Sequence, residues 1–494
     1  MNRDLVVNEV PDDKGDAVVV QLKEVRGPAD TFVGAHTSLT IDDHCPARCD
    51  DVSLRQIVNQ GEGLAPGNVD SSIFARPVVK NPGACDTRFV STAQMFDTAA
   101  GTEFLLPDPD PRQVRYTIIS VDDHLVEPPD MFEGRLPARF QSEAPRVVET
   151  PEGHEVWEFD GNRYSQPGAN AVAGRRPEKS VTAEPTRFEE MRPGCWNIEA
   201  RIRDMDINGV WASLNFPSMI TGFSGRVYSA AKDRDLGLAV TKAFNDWVYD
   251  CWWQPYPDRI IPLGITYLAD PDEAATEIRR NAERGFRSLT LPERPHRIGL
   301  PSIFTDYWDP ILAACQETGT VISLHVGSSG LPSDFAPEAK SAGLSASLFG
   351  QLSLTACAEW IWSGIPARFP NIKIALSEGG IGWVAMLLDR LETIIDRSGY
   401  GKDYPGDLTP AEVLHRNFWF CTIDDPKTIV TRDVIGVDKI MVEVDYPHGD
   451  STWPDTQSVI DRVWGALPVD DLRKMTHLNA ADLFRWPLPE ETCP

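Results

Sequence analysis

The sequence predicts an α/β protein: a (β/α)8 TIM-like barrel with a long insertion after its first strand and an irregular N-terminal extension. Three observations lead there. From about residue 114 onward, short apolar runs alternate with amphipathic helical stretches, the pattern of parallel βα units. Eight such runs can be read, the number that closes a parallel barrel. No Gly-rich phosphate loop follows any of them, which disfavours an open doubly wound sheet.

Composition narrows the class. The chain has 494 residues, 41% hydrophobic and 24% charged, as in ordinary globular proteins. Its 47 basic and 74 acidic residues leave a net charge of −27, which repels phosphate backbones and argues against nucleic acid or an anionic membrane as partner. No apolar stretch is long enough to span a bilayer, and MNRDLVVNEVPDDKGD lacks the apolar core of a secretory signal. The nine cysteines are scattered and odd in number, with no disulfide framework, so a reducing, cytoplasmic location is expected.

Residues 1–113 form the extension. One strand-like run, AVVVQLKEV at 17–25, stands out, and PDPDPRQ at 107–113 reads as a stiff linker. His44, Cys45 and Cys49 lie close together but lack a second half at zinc spacing, so a surface turn is expected. The barrel is expected over 114–487, followed by a tail at 488–494. Its strands are 117–121 (TIISV), 212–216 (ASLNF), 260–266 (IIPLGIT), 286–291 (FRSLTL), 321–326 (VISLHV), 373–378 (KIALSE), 418–423 (FWFCTI) and 439–445 (KIMVEVD). Helical periodicity is clearest at 229–253, 271–284, 308–318 and 382–397, and Trp247, Trp252 and Trp253 fall on its core face. Between the first two strands, 140–197 reads as a lid, with a hairpin turn at Asp160-Gly161.

The residues at the strand ends carry the chemistry. The first strand runs into Asp122-Asp123-His124, and Asp122 and His124 share a face because side chains alternate along a strand. The fifth ends in His325, the sixth in Glu378, and the eighth in Asp445 with His448 three residues on. In a barrel these C-terminal ends meet at one mouth, where imidazoles and carboxylates together suit a divalent metal. Each residue alone reads better as a helix cap or a satisfied structural group; the joint placement is what points to a metal. Cys195 reads as a structural thiol, and Gly327-Ser328-Ser329-Gly330 either turns the chain or binds an anion.

With these motifs in view, the chain from about residue 116 to 486 resembles the amidohydrolase-related proteins (amidohydrolase family 2) of the amidohydrolase superfamily. The resembling segments are SVDDHLVEPPDMF, RPGCWNIEARIRDMDINGVWASLNFPS, FNDWVYDCWWQPYPDRIIPLG, LHVGSSG, RFPNIKIALSEGGIGWVAMLLDRLE, HRNFWFCTIDDP, DYPHGDSTWP and HLNAADLF, in the family's order. The resemblance implies metal ligands at Asp122, His124, His325 and Asp445. Family decarboxylases and hydrolases often carry a His at the sixth strand where this chain has Glu378, a departure that counts against decarboxylation and adds a carboxylate suited to a two-metal centre.

The expected function is therefore a metal-dependent hydrolase acting on a small carbonyl substrate. Metal-activated water would attack, Asp445 would move its proton, and His448 and Glu378 would assist. Zinc is the first expectation, with iron or manganese as alternatives, in a mononuclear or dinuclear centre that Glu378 could join. Alternatives are an iron- or manganese-dependent oxygenase subunit, paired with a paralogous chain as in the 2-aminoisobutyrate hydroxylase type, and a decarboxylase. The N-terminal arm is expected to contact a neighbouring copy or such a paralogous subunit in an oligomer.

Overall fold

The computed structural model describes the strands β1 (Leu5–Pro11), β2 (Val18–Glu24) and β3 (Ser38–Leu39), and residues 104–493 apart from 166–169, 177–186, 333–334, 337, 340–341 and 398. The chain divides into two compact units, Met1–Val78 and Val79–Pro494. In the first, β1 pairs antiparallel with β2, from Leu5 opposite Glu24 to Pro11 opposite Val18, and β3 adds to β2. The run read from sequence at 17–25 is β2; its partner β1 was not anticipated. The His44, Cys45 and Cys49 turn lies outside the described residues.

The second unit opens with residues 104–113 laid along its body. Leu106 N–H donates to Gly174 O, Arg112 N–H donates to Ile207 O, and Arg112 pairs with Asp455 at 2.9 Å. The stretch read as a linker is thus tied to the body at Asp108, which pairs with Arg192 at 2.9 Å, and at Arg112. After β4 (Ile119–His124) comes an antiparallel sheet of β5 (Arg146–Glu149), β6 (Glu155–Phe159) and β7 (Asn162–Tyr164). Asp160 and Gly161 join β6 to β7 with φ of 48° and 78°, the left-handed pair that a tight hairpin requires. That Asx-Gly signal was legible in the sequence.

The remaining strands are β8 (Ala212–Phe216), β9 (Ile260–Ile261), β10 (Leu263–Gly264), β11 (Ser288–Leu291), β12 (Val321–His325), β13 (Ile374–Ser377), β14 (Phe418–Thr422) and β15 (Ile440–Val442). All pair in parallel, in the orders β4-β8-β9 and β10-β11-β12-β13-β14-β15. Helices alternate with them, among them Arg234–Trp247, Pro271–Glu283, Asp309–Thr318 and Gly382–Arg397. Residues 248–253, expected to continue the first of these as α-helix, form a π-helical turn.

The architecture is barrel-like, but its ladder is not continuous, which corrects the expectation of a fully closed barrel. Pro262, with no N–H to give, splits the third expected strand into β9 and β10. Between the last and first strands no ladder forms. Two backbone bonds bridge that gap, Asp445 N–H to Asp122 O (2.9 Å) and His124 N–H to Tyr446 O (2.7 Å).

Both faces of the parallel strands are buried, which is why they read as continuous apolar runs. Alternate residues sort cleanly. Ile322, Leu324, Ile374, Leu376, Phe418 and Phe420 pack in the large outer core under the helices. Val321, Ala375, Trp419, Cys421 and Met441 fill the interior with Ile119, Leu214 and Leu263. Leu483, Phe484 and Trp486 of the C-terminal segment join that inner cluster. Trp247 and Trp252 are buried as expected, while Trp253 is half-buried. Among the described residues no helix is long and apolar enough to cross a membrane.

Candidate metal centre

Period-two alternation aims His325 inward, on the same face as Val321, while Asp445 follows the last strand three residues beyond its end at Val442. On β4 the register against β8 shifts between Ser120 and Asp123, a bulge next to the site that re-aims the residues after it. Glu378 and Asp445 follow β13 and β15 with φ of 59° and 57°, left-handed conformations unusual for residues other than glycine. The Glu443 carboxylate holds the first of these, accepting the Glu378 N–H at 3.0 Å.

The sequence-expected ligands converge. His124 Nε2 lies 3.2 Å from Asp445 Oδ1, 3.4 Å from Asp122 Oδ1 and 3.1 Å from His325 Nε2. His325 Nε2 lies 3.5 Å from Asp122 Oδ2 and 3.1 Å from Glu378 Oε2. His448 Nδ1 is 3.1 Å from Asp445 Oδ1, and its ring stacks on His124 with centroids 3.7 Å apart. Each member of three overlapping groups offers a ligand atom within 4.8 Å of the others: Asp122, His124 and His325; His124, Glu378 and His448; and Glu378, Asp445, His448 and Asp450. Asp450, on the loop after the last strand, was not anticipated.

Burial sets the electrostatics. It holds Asp122 well above the usual carboxylate range, with repulsion from Glu443 and Glu378 adding to it. Burial likewise raises Glu378, with repulsion from Asp450 and Glu443, and Asp445, with repulsion from Glu378 and Asp450. Burial pushes His325 down to about 4 and His448 down to about 3, and burial with the neighbouring His448 holds His124 well below its ordinary value, so all three imidazoles are neutral near pH 7. Neutral imidazoles and crowded carboxylates are a donor set made for a cation. Both oxygens of Asp122 and both of Asp445 are buried without a hydrogen-bond partner. Orphaned buried acceptors of this kind are costly unless something positive meets them. The residues present therefore fit a divalent metal.

Surrounding groups lock the ligands. His325 Nδ1 meets Val326 O at 2.7 Å, leaving Nε2 to face the cluster. Asp123 points elsewhere: it accepts the Tyr446 N–H at 3.0 Å and hydroxyls of Ser120 and Ser213, tying the first strand to its neighbours. Rings of Phe216 and Phe223 lie 4.9 Å and 5.3 Å from that of His325.

The other sequence candidates are structural. Burial pushes the Cys195 thiol up to about 12, so it is no nucleophile. The hydroxyls of Ser328 and Ser329 accept the backbone N–H groups of Glu293 and Arg294, so this loop is used as a turn. Among the described residues Cys195, Cys315, Cys357, Cys421 and Cys493 are free thiols.

Comparison with known proteins places these features in context. The sequence profile of the amidohydrolase family matches residues 148–486. A 2-amino-3-carboxymuconate-6-semialdehyde decarboxylase of Dictyostelium discoideum is 24% identical over 269 residues, 53% of this chain and 69% of that one. Among solved structures, an amidohydrolase of Mycobacterium avium subsp. paratuberculosis K-10 superposes with a TM-score of 0.59 at 24% identity, covering 75% of this chain and all of that one. A 5-carboxyvanillate decarboxylase of Novosphingobium aromaticivorans DSM 12444, complexed with manganese and 4-hydroxy-3-methoxy-5-nitrobenzoic acid, superposes with a TM-score of 0.52 at 19% identity, covering 76% and 99%. These likenesses show a TIM-barrel-like α/β fold.

Proposed function

Because the chain belongs to the amidohydrolase family, we propose that it is a metal-dependent carbon–carbon lyase, a decarboxylase of a small carboxylic acid. This moves decarboxylation ahead of the hydrolysis expected from the sequence. Two of the relatives described above are decarboxylases, and the site supplies the acid such a reaction needs.

The observation that carries the reading is the Asp445–His448 pair. Asp445 is fully buried in the ligand cluster, and its Oδ1 lies 3.1 Å from His448 Nδ1, while Oδ2 has no partner. When the bond to the carboxylate breaks, CO2 leaves and an electron pair stays on carbon. Asp445 delivers a proton to that carbon, and His448, about one-tenth exposed, passes one from solvent back to Asp445. Asp122, His124, His325 and Asp445 would hold the ion, with Glu378 completing the set. A divalent ion there would fix the acid's oxygens and draw electron density from the carbon losing CO2. Manganese suits the oxygen-rich donors better than the expected zinc, and one relative's structure contains it.

Hydrolysis is the second reading, favoured by Glu378, whose Oε2 sits 3.1 Å from His325 Nε2 in the place of a sixth-strand His. The test is CO2 release from a panel of small carboxylic acids by manganese-loaded protein, with Asp445→Asn expected to lose roughly a hundredfold or more in rate. Hydrolysis of amides or lactones without CO2 release would overturn the lyase reading, as would oxygen uptake with a partner subunit.

A further inference from the structure

Behind the metal ligands lies a buried arginine that neither reading uses. Arg201, on the helix Ile198–Asn208, is 1% exposed. Its Nε–H donates to Gly194 O at 2.7 Å, and its Nη2 donates to the backbone oxygen of His124. Its guanidinium lies over the Tyr446 ring, 4.3 Å from the centroid, and 5.5 Å from that of Trp252. Nη1 has no hydrogen-bond partner and is buried. A small cavity of about 10 Å³, the size of one water, is lined by Arg201, Asp123, Asp204 and Tyr446.

The two residues Arg201 grips sit at the gap in the strand ladder. His124 is a ligand of the first strand. Tyr446 directly follows Asp445, a ligand of the last, and its carbonyl accepts the His124 N–H at 2.7 Å. Two backbone bonds join the strands there, beside side-chain bonds from Tyr446 N–H to Asp123 and from Val444 N–H to Ser120 Oγ, and Arg201 adds a grip on the His124 carbonyl and the Tyr446 ring. We propose that Arg201 is a positioning residue of the metal centre: by holding the His124 carbonyl and the Tyr446 ring together it sets the spacing of two ligands drawn from opposite sides of the gap. The role is independent of which reaction the centre performs.

A second buried arginine supplies the control. Arg192 grips Asp204 at 2.7 and 2.9 Å, and Asp204 accepts from Tyr446 Oη at 2.5 Å, yet Arg192 touches no ligand. The experiment is Mn2+ titration of full-length metal-free protein, with electron paramagnetic resonance of the bound ion and circular dichroism as a check of fold. Arg201→Met should weaken Mn2+ binding about tenfold or more and alter the zero-field splitting of the spectrum, as loss of a supporting contact does. Arg201→Lys, which keeps the charge and is the milder change for folding, should show a smaller shift in the same direction. Arg192→Met should lower stability while leaving the spectrum of the bound ion as in the wild type. Unchanged affinity and spectrum in a folded Arg201 variant would overturn the proposal, and so would equal changes in the Arg192 and Arg201 variants.

Discussion

Gly194→Ala tests the closest approach to any glycine among the described residues. A methyl at Gly194 would stand 2.0 Å from Asp204 Oδ2 and 2.5 Å from Tyr446 Oη, where ordinary contact begins near 3.4 Å. Asp204 would have to retreat by about 1.4 Å, the difference of those figures. It cannot do so and keep its bonds: Arg192 holds both of its oxygens, and Tyr446 Oη holds Oδ2. Overpacking alone costs about 1–3 kcal/mol, and a lost hydrogen bond to a buried charge about 1.5–3 kcal/mol. A combined loss of about 3–5 kcal/mol is expected, since the two terms overlap and do not simply add. Urea denaturation of the metal-free protein measures it as a fall in midpoint at constant slope. In a double-mutant cycle, Asp204→Ala removes the obstacle, so Gly194→Ala should cost at least about 1 kcal/mol less in that background. A cost below about 1 kcal/mol for Gly194→Ala alone, or strict additivity in the cycle, would refute the packing argument.

Between pH 6.5 and 8 the metal-free protein should lose thermal stability as pH rises. Burial raises Glu127 to about 7 and Glu293 and Glu443 to about 8, so the folded chain still binds protons that the unfolded chain has released. The buried histidines act the other way, fading by about pH 7.5 as the unfolded imidazoles lose their protons, and are outnumbered by the raised carboxylates, Asp122, Glu378 and Asp445 among them; melting curves in chelator at both pH values give the sign. Glu378→Gln should weaken Mn2+ retention roughly tenfold while the far-ultraviolet dichroism stays unchanged, and full retention would reduce Glu378 to a strand-end carboxylate. Removing residues 1–103 spares the hydrogen bonds of 104–113 and should leave the barrel-like unit folded but shift its elution toward smaller species. An unchanged elution state would rule out the arm as an assembly element.

The sequence was most legible where both faces of a strand are apolar, and least where polar groups interrupt one. The run 212–216 coincides with β8 residue for residue. The first strand was expected to stop at Val121, yet β4 continues to His124, because Asp123 is satisfied inside the sheet by Ser120, Ser213 and Tyr446 while Asp122 and His124 turn into the ligand cluster. The last was expected to reach Asp445, yet β15 ends at Val442, since the turn at Asp445 takes the chain out of extended geometry. The residues of the candidate cluster were readable because strand direction alone delivers them to one end. Glu443 was missed, although its spacing of two from Asp445 put it on the same face. Arg201 and Asp204 lay within a recognised segment, but nothing in one sequence says which helical charges turn inward. Asp450 depends on the path of a loop, which residue pattern does not encode.

The left-handed backbone at Glu378 and Asp445 has an evolutionary consequence. Each residue occupies a conformation that costs an L-amino acid about 1–2 kcal/mol and a glycine almost nothing. Replacing either with glycine would relax the backbone and remove one of several crowded negative charges, so losing the ligand is favoured by fold stability alone. Selection for activity must hold these positions against that drift. A duplicate copy freed from catalysis should therefore decay first here, acquiring glycine at 378 or 445 while the apolar strands persist. Glycine at those two sites would mark relatives that kept the scaffold and gave up the chemistry.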